Sequence, residues 1–142
     1  MKDFKEFLAL KVVNKQMPNK ERAISLIEDS EKKKEYMETT IKLIPKQKWN
    51  SNVIVDQCYD ILIELIRAKL FLDGYNSKSS HEAEVSYMKI IGFSEAETKQ
   101  MDELRYYRNG TKYYGTVLNI GYAEMTIEFM NKIYQKLLRI LK

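Results

Sequence analysis

From Ser51 to Asp73 the chain reads SNVIVDQCYDILIELIRAKLFLD, and apolar side chains cover almost the whole circumference of the helix that this spacing implies. Ile54, Val55, Cys58, Ile61, Leu62, Ile63, Leu65, Ile66, Ala68, Leu70 and Leu72 leave room for one narrow polar stripe of Asp56, Asp60, Glu64 and Arg67. A helix so apolar is not a surface element. It lies at the centre of a bundle, or it shares its surface with a second subunit. The stripe is then either the last edge to reach water or a wall lining a cleft. Cys58 fits as a small core residue.

The rest of the chain keeps the same period. Only two prolines and five glycines interrupt 142 residues, which favours long helices over many short strands. Five or six helices and no strand are expected. A short first helix covers about Phe4 to Asn14, with Phe4, Phe7, Leu8 and Lys11 on one side. Pro18 and Asn19 open a second, which runs to about Ile44 and is stopped by Pro45. Its apolar stripe is Ala23, Ile24, Ile27, Tyr36, Met37, Ile41 and Ile44, and its EDSEKKKE stretch reads as a solvated face or a phosphate-binding patch. The third helix stops at Gly74. A fourth spans about Ser80 to Ile91 and is closed by Gly92. Ser94 and Glu97 have capping-box spacing and open a fifth, which runs to about Leu118. The last covers about Asn119 to Lys142. The expected fold is all-α: an antiparallel up-and-down helical bundle of five to six helices, in one domain over residues 1–142.

Several function classes fall away. The 24 Lys and Arg against 20 Asp and Glu give a net charge of +4, which permits a nucleic-acid partner without demanding one. A lone cysteine excludes an internal disulfide and a cysteine-based metal cluster, and suits a reducing cytoplasm. No stretch approaches the roughly 20 uncharged residues of a membrane span, and the first apolar run is too short for a signal peptide. A cytoplasmic protein with no membrane partner is the expectation. His81 is the only histidine, and nothing around it has metal-ligand spacing. Glycine-rich phosphate loops and serine or cysteine triads are missing as well. Neither a metal nor a cofactor is implied. His81, in SSHEAE at a helix start, serves the surface or packs a loop, unless its ring nitrogens reach a cleft.

One stretch concentrates chemistry. Glu103 to Gly115 reads ELRYYRNGTKYYG, with two arginines, four tyrosines and two glycines in thirteen residues. Arg105, Asn109 and Tyr113 stand four apart on one helical ridge, and Arg108 and Lys112 stand four apart on the next. Cations and a carboxamide on adjacent ridges can cradle a phosphate, because a guanidinium grips two oxygens at once. Tyrosines such as Tyr114 can stack on bases or donate their hydroxyls. Gly110 and Gly115 allow close approach of a ligand or another backbone. Alternatively the tyrosines are core and interface aromatics, and the arginines pair with Glu103, Glu64 or Asp60.

CYDILIELIRAKLFLDGYNSKSSHEAEVSYM followed by GFSEAETKQMDELRYYRNGTKYYG resembles the HEPN domain of prokaryotic proteins, over roughly Ile54 to Leu141 in order and spacing. The resemblance implies a helical bundle that commonly forms a homodimer. In many members it implies a metal-independent ribonuclease, often beside a small nucleotidyltransferase in toxin–antitoxin modules. The family signature is an arginine, often a polar residue next, then a histidine after four to six intervening residues. Arg108 and Asn109 match the first two places, but Tyr113 stands after four intervening residues where the histidine belongs. Tyrosine, near pKa 10, is a poor base at neutral pH, where histidine near 6.5 serves. The resemblance therefore implies binding of RNA or a nucleotide through the Arg108, Asn109, Tyr113 motif, with Arg105, Lys112 and Tyr114 on the phosphate, and impaired catalysis. An active endoribonuclease, with Tyr113, Tyr114 or His81 replacing the histidine, is one alternative. A non-catalytic structural dimer or adaptor is the other.

Overall fold

The computed structural model describes every residue except Tyr114, and every side chain outside residues 111–114. Among the described residues the chain forms six α-helices: α1 Phe4–Ala9, α2 Lys20–Leu43, α3 Ser51–Leu72, α4 His81–Ile90, α5 Glu95–Tyr113 and α6 Ile120–Leu141. The all-helical bundle expected from the apolar period is present. Its starts are set locally. Asn19, Asn50, Ser80 and Asn119 each accept the backbone N–H three residues on, which satisfies a donor that the helix itself leaves open. Ser94 and Glu97 close a reciprocal capping box, with Glu97 N donating to Ser94 Oγ at 3.1 Å and Ser94 N donating to Glu97 Oε1 at 3.0 Å.

α3 is the centre. It packs against α2, α4, α5 and α6, and Val55, Cys58, Tyr59, Ile61, Leu62, Leu65 and Ile66 on it have no exposed surface. Its own chain therefore covers it, so α3 supplies no reason for a partner subunit. The exposed large apolar side chains lie elsewhere, among them Leu43, Val117 and Tyr106. α2 and α3 run antiparallel. Arg22 on α2 meets Phe71, Ser30 meets Ile61 and Met37 meets Cys58, so the partner number on α3 falls along α2. α5 and α6 also run antiparallel, with Lys136 late on α6 bonded to Glu97 at the start of α5, and Tyr122 early on α6 bonded to Glu103 midway along α5.

Several boundaries depart from the sequence reading. α1 ends at Ala9, and Lys11, expected on the helix face, adopts a left-handed φ of 59°. No strand was expected, yet β1 (Asn14–Lys15) pairs antiparallel with β2 (Tyr75–Asn76), Asn14 opposite Asn76. These short runs carry no alternating pattern, and pairing to a distant segment creates them. α5 stops by Tyr113 instead of reaching Leu118. The reason is the Asn52 carboxamide on α3, which donates to Thr116 O at 2.7 Å and accepts from Leu118 N at 2.8 Å. A side chain thus satisfies backbone groups that would otherwise have continued the helix. On α2, Ala23 and Met37 are buried as expected, but Ile24, Tyr36 and Ile44 are exposed. In their place Ser30, inside the charged run, is fully buried and donates to Ile61 O at 2.8 Å. No helix among the described residues is long and apolar enough to cross a membrane.

Gly74 is needed where α3 turns into β2. Its φ is +83°, and an added Cβ would lie 2.8 Å from Gln16 O, whose own N–H donates to Gly74 O at 2.8 Å. Gly92 has φ +102° but open space around it. Gly74→Ala should therefore cost more stability in urea unfolding than Gly92→Ala. Both carry the left-handed penalty of about 1–2 kcal/mol, and only Gly74→Ala also meets a backbone oxygen.

Candidate functional site

Most of the polar stripe of α3 is covered. It runs along a seam where α2, α4 and α5 close over the helix, and Asp60, Glu64 and Arg67 on it each meet a charge from a neighbour. Glu64, 5% exposed, accepts from Lys33 of α2, which also pairs with Asp29 at 3.3 Å. Burial raises the Glu64 carboxyl above the usual carboxylate range, with the Lys33 bond pulling the other way. Burial also works against the charge on Lys33, but its bonds to Glu64 and Asp29 outweigh that and hold its pKa up. Glu64 Oε2 is buried with no hydrogen-bond donor among the described residues.

One turn further along α3, Arg67 makes a two-pronged contact with Glu84 of α4: Nε at 2.5 Å and Nη2 at 2.9 Å, on separate carboxylate oxygens. Ser77 Oγ donates to the same carboxylate at 2.7 Å. Glu84 has no exposed surface, and its hydrogen bonds are the main cause that raises the Arg67 pKa. The acid in AEVSYM is thus a structural anchor that sequence reading passed over. A carboxylate flanked by Ala83, Val85 and Tyr87 was the available signal.

Toward the N-terminal side of the stripe stands Arg108. Its Nε donates to Asp60 Oδ1 at 3.1 Å, and its guanidinium carbon lies 5.6 Å from the centroid of the Tyr59 ring. The Arg108 side chain is 19% exposed and that of Asp60 30%. Tyr59 is fully buried, and its hydroxyl shares a 2.8 Å hydrogen bond with His81 Nδ1, the rings lying 11° from parallel. Burial pushes the Tyr59 phenol far above its ordinary pKa, so it keeps its proton. Burial also lowers the pKa of half-buried His81; Glu84 opposes this, and Arg67 and Arg108 reinforce it. Two residues that stand 27 apart in sequence, Arg108 and His81, are thus joined through one tyrosine.

The remaining expected site residues separate. Arg105 pairs with Asp102, three residues back, at 2.7 Å. This is not one of the acids expected for it, and an i, i+3 neighbour needs no tertiary approach. Asn109 is half-buried next to Arg108. The side chains of Lys112 and Tyr113, and all of Tyr114, lie outside the described residues. Tyr106, Tyr107 and Tyr122 form an edge-to-face row at centroid distances of 5.7 and 5.1 Å. At Gly110 the close approach is made by the protein itself, because Thr116 N donates to Gly110 O at 3.2 Å as the chain leaves α5.

Beside the Arg108–Asp60 pair is a hollow of about 270 Å³ between α2 and α3, lined by Lys32, Lys33, Tyr36, Gln57 and Asp60. Arg108 is one hydrogen bond from this lining. The EDSEKKKE run therefore does more than present a solvated face: Lys33 closes the seam, and Lys32 flanks the hollow. Compared with protein-family models, curated proteins and solved structures, the chain finds no match.

Two outcomes follow from these contacts. Glu84→Ala strands the partly buried Arg67 guanidinium and should cost about 3–5 kcal/mol in denaturant unfolding; Glu84→Gln, which keeps an acceptor, should cost less. The single histidine makes the second measurement unambiguous. Its proton resonance should titrate with a midpoint below 6.5 in the folded chain. A histidine whose folded pKa is lowered contributes stability that is fully present above the unfolded value, near 6.5, and lost as pH falls through it toward the folded pKa. His81→Phe should flatten the stability profile in that window.

Proposed function

We propose that the chain is a HEPN-like domain that binds RNA or a nucleotide through Arg108. The observation that carries the reading is the placement of this guanidinium. It is aimed by Asp60 and by the Tyr59 ring, it is partly exposed, and it adjoins a hollow whose other wall bears Lys32 and Lys33. A guanidinium has five N–H groups to share, and an incoming phosphate competes with Asp60 for them. Lys32 across the hollow, which makes no ion pair among the described residues, favours an anion there over a neutral ligand. The reading rests on Arg108 and not on Lys112, Tyr113 or Tyr114. A nucleotidyltransferase partner and a homodimer rest on the family resemblance alone.

The Tyr59–His81 contact favours a second reading, a metal-independent endoribonuclease. A histidine held neutral at pH 7 can take a proton from a ribose 2′-hydroxyl, while Arg108 stabilises charge on the phosphate under attack. The neutral Tyr59 hydroxyl fixes which way the imidazole faces. His81 would then do from α4 what Tyr113 cannot do from α5.

Fluorescence anisotropy with labelled single-stranded RNA, and competition by mononucleotides, test the first reading. Arg108→Ala should weaken binding at least ~tenfold, about 1.4 kcal/mol, with Arg108→Lys intermediate. Unchanged affinity in a folded Arg108→Ala variant would remove the reading. Cleavage of the same RNA without metal, lost in both Arg108→Ala and His81→Asn, would assign the ribonuclease. RNA left intact by the wild type would leave binding alone.

A further inference from the structure

Along the seam, charged and polar groups are spent on one another. The hollow between α2 and α3 is different. The Gln57 carboxamide makes no hydrogen bond among the described residues, nor does the Tyr36 hydroxyl, and Lys32 makes no ion pair among them. Lys32 and Tyr36 are four apart on α2, while Gln57 and Asp60 are three apart on α3, so each pair shares one helix face. Tyr36 is 68% exposed, and no other aromatic ring among the described residues covers it. An aromatic face, a carboxamide, a carboxylate and an ammonium thus converge on one small hollow.

Resting on the nucleotide-binding reading above, we infer that this hollow is a base-recognition pocket that selects guanine. Its volume of about 270 Å³ is below the ~300–1,000 Å³ of pockets for drug-sized ligands, which suits one base with its sugar and phosphate outside. The base stacks on Tyr36, an interaction that every base offers. Selection comes from the α3 wall. A carboxylate offers acceptors only, on two oxygens with about four lone-pair sites. Guanine presents it with two adjacent donors, N1–H and the N2 amino group; cytosine and adenine present one amino group beside an acceptor, which a carboxylate repels. The Gln57 amide, one turn away, supplies a donor to guanine O6 and can rotate to suit. Lys32 stands at the mouth, where a phosphate next to the base lies. Asp60 joins the two halves of the site, since it accepts from Arg108 and faces the hollow.

The test uses the full chain and three labelled six-nucleotide RNAs, all uridine except one central guanosine, adenosine or cytidine. The guanosine RNA should bind about tenfold tighter than the other two, the scale of one stacked and read base. Gln57→Ala, at a half-buried position, should fold normally and bring its affinity down to the level of the others. Tyr36→Ala, at an exposed position, and Arg108→Ala should instead weaken all three alike. Unlabelled GMP that competes better than AMP points to a free nucleotide as ligand; selection of the guanosine RNA without competition by GMP points to an RNA strand, and either supports the pocket. Equal binding of the three RNAs by the wild type, or a preference that survives Gln57→Ala, overturns the base pocket and leaves the phosphate reading standing. Binding of none of these ligands overturns both.

Discussion

Burying α3 on every side forces the rest of the structure. A 22-residue helix at the centre of a small bundle cannot keep Asp60, Glu64 and Arg67 on one stripe unless each meets a partner, because an unpaired charge taken out of water costs several kcal/mol. Three neighbouring helices deliver one each: Lys33 from α2, Glu84 from α4, Arg108 from α5. The bundle is therefore registered by charge as well as by shape. A helix that slipped by one turn would set like charges together or leave a carboxylate bare.

The seam also changes character along its length. Toward Glu64 and Arg67 the groups are paired with Lys33 and the fully buried Glu84 and are structural. Toward Asp60 the stripe rises to the surface, and side-chain exposure climbs from 7% at Glu64 to 30% at Asp60. Charges organised by the core thus reach a place that solvent, and a ligand, can enter. The tyrosine that stacks under Arg108 is itself core, so the guanidinium and the histidine take their positions from the best-packed helix in the molecule. A site built on such rigid elements pays little ordering entropy when a ligand arrives.

Within the motif from Glu103 to Gly115, spacing alone suggested two cationic ridges. Arg108 came with an acid among the alternatives foreseen, Asp60, and it is Asp60 that lines the hollow. Arg105 went to a local partner that no tertiary argument required. Glycine at position 110 serves the chain's own return from α5. Spacing defines which side chains share a face, but it cannot say which of them another helix will claim.

The sequence by itself determined the helices, their caps and the identity of the central one, because apolar period and capping residues act within a few positions of where they stand. It carried the warning that Asp56, Asp60, Glu64 and Arg67 were either an edge or a wall. Only the tertiary structure decided for the wall, ended α5 early through Asn52, and brought His81 to Arg108 across Tyr59. The physical reason is the same in each case. A polar group in a packed interior must find a partner, and the partner is chosen by which helices touch, a property that no local window of residues contains.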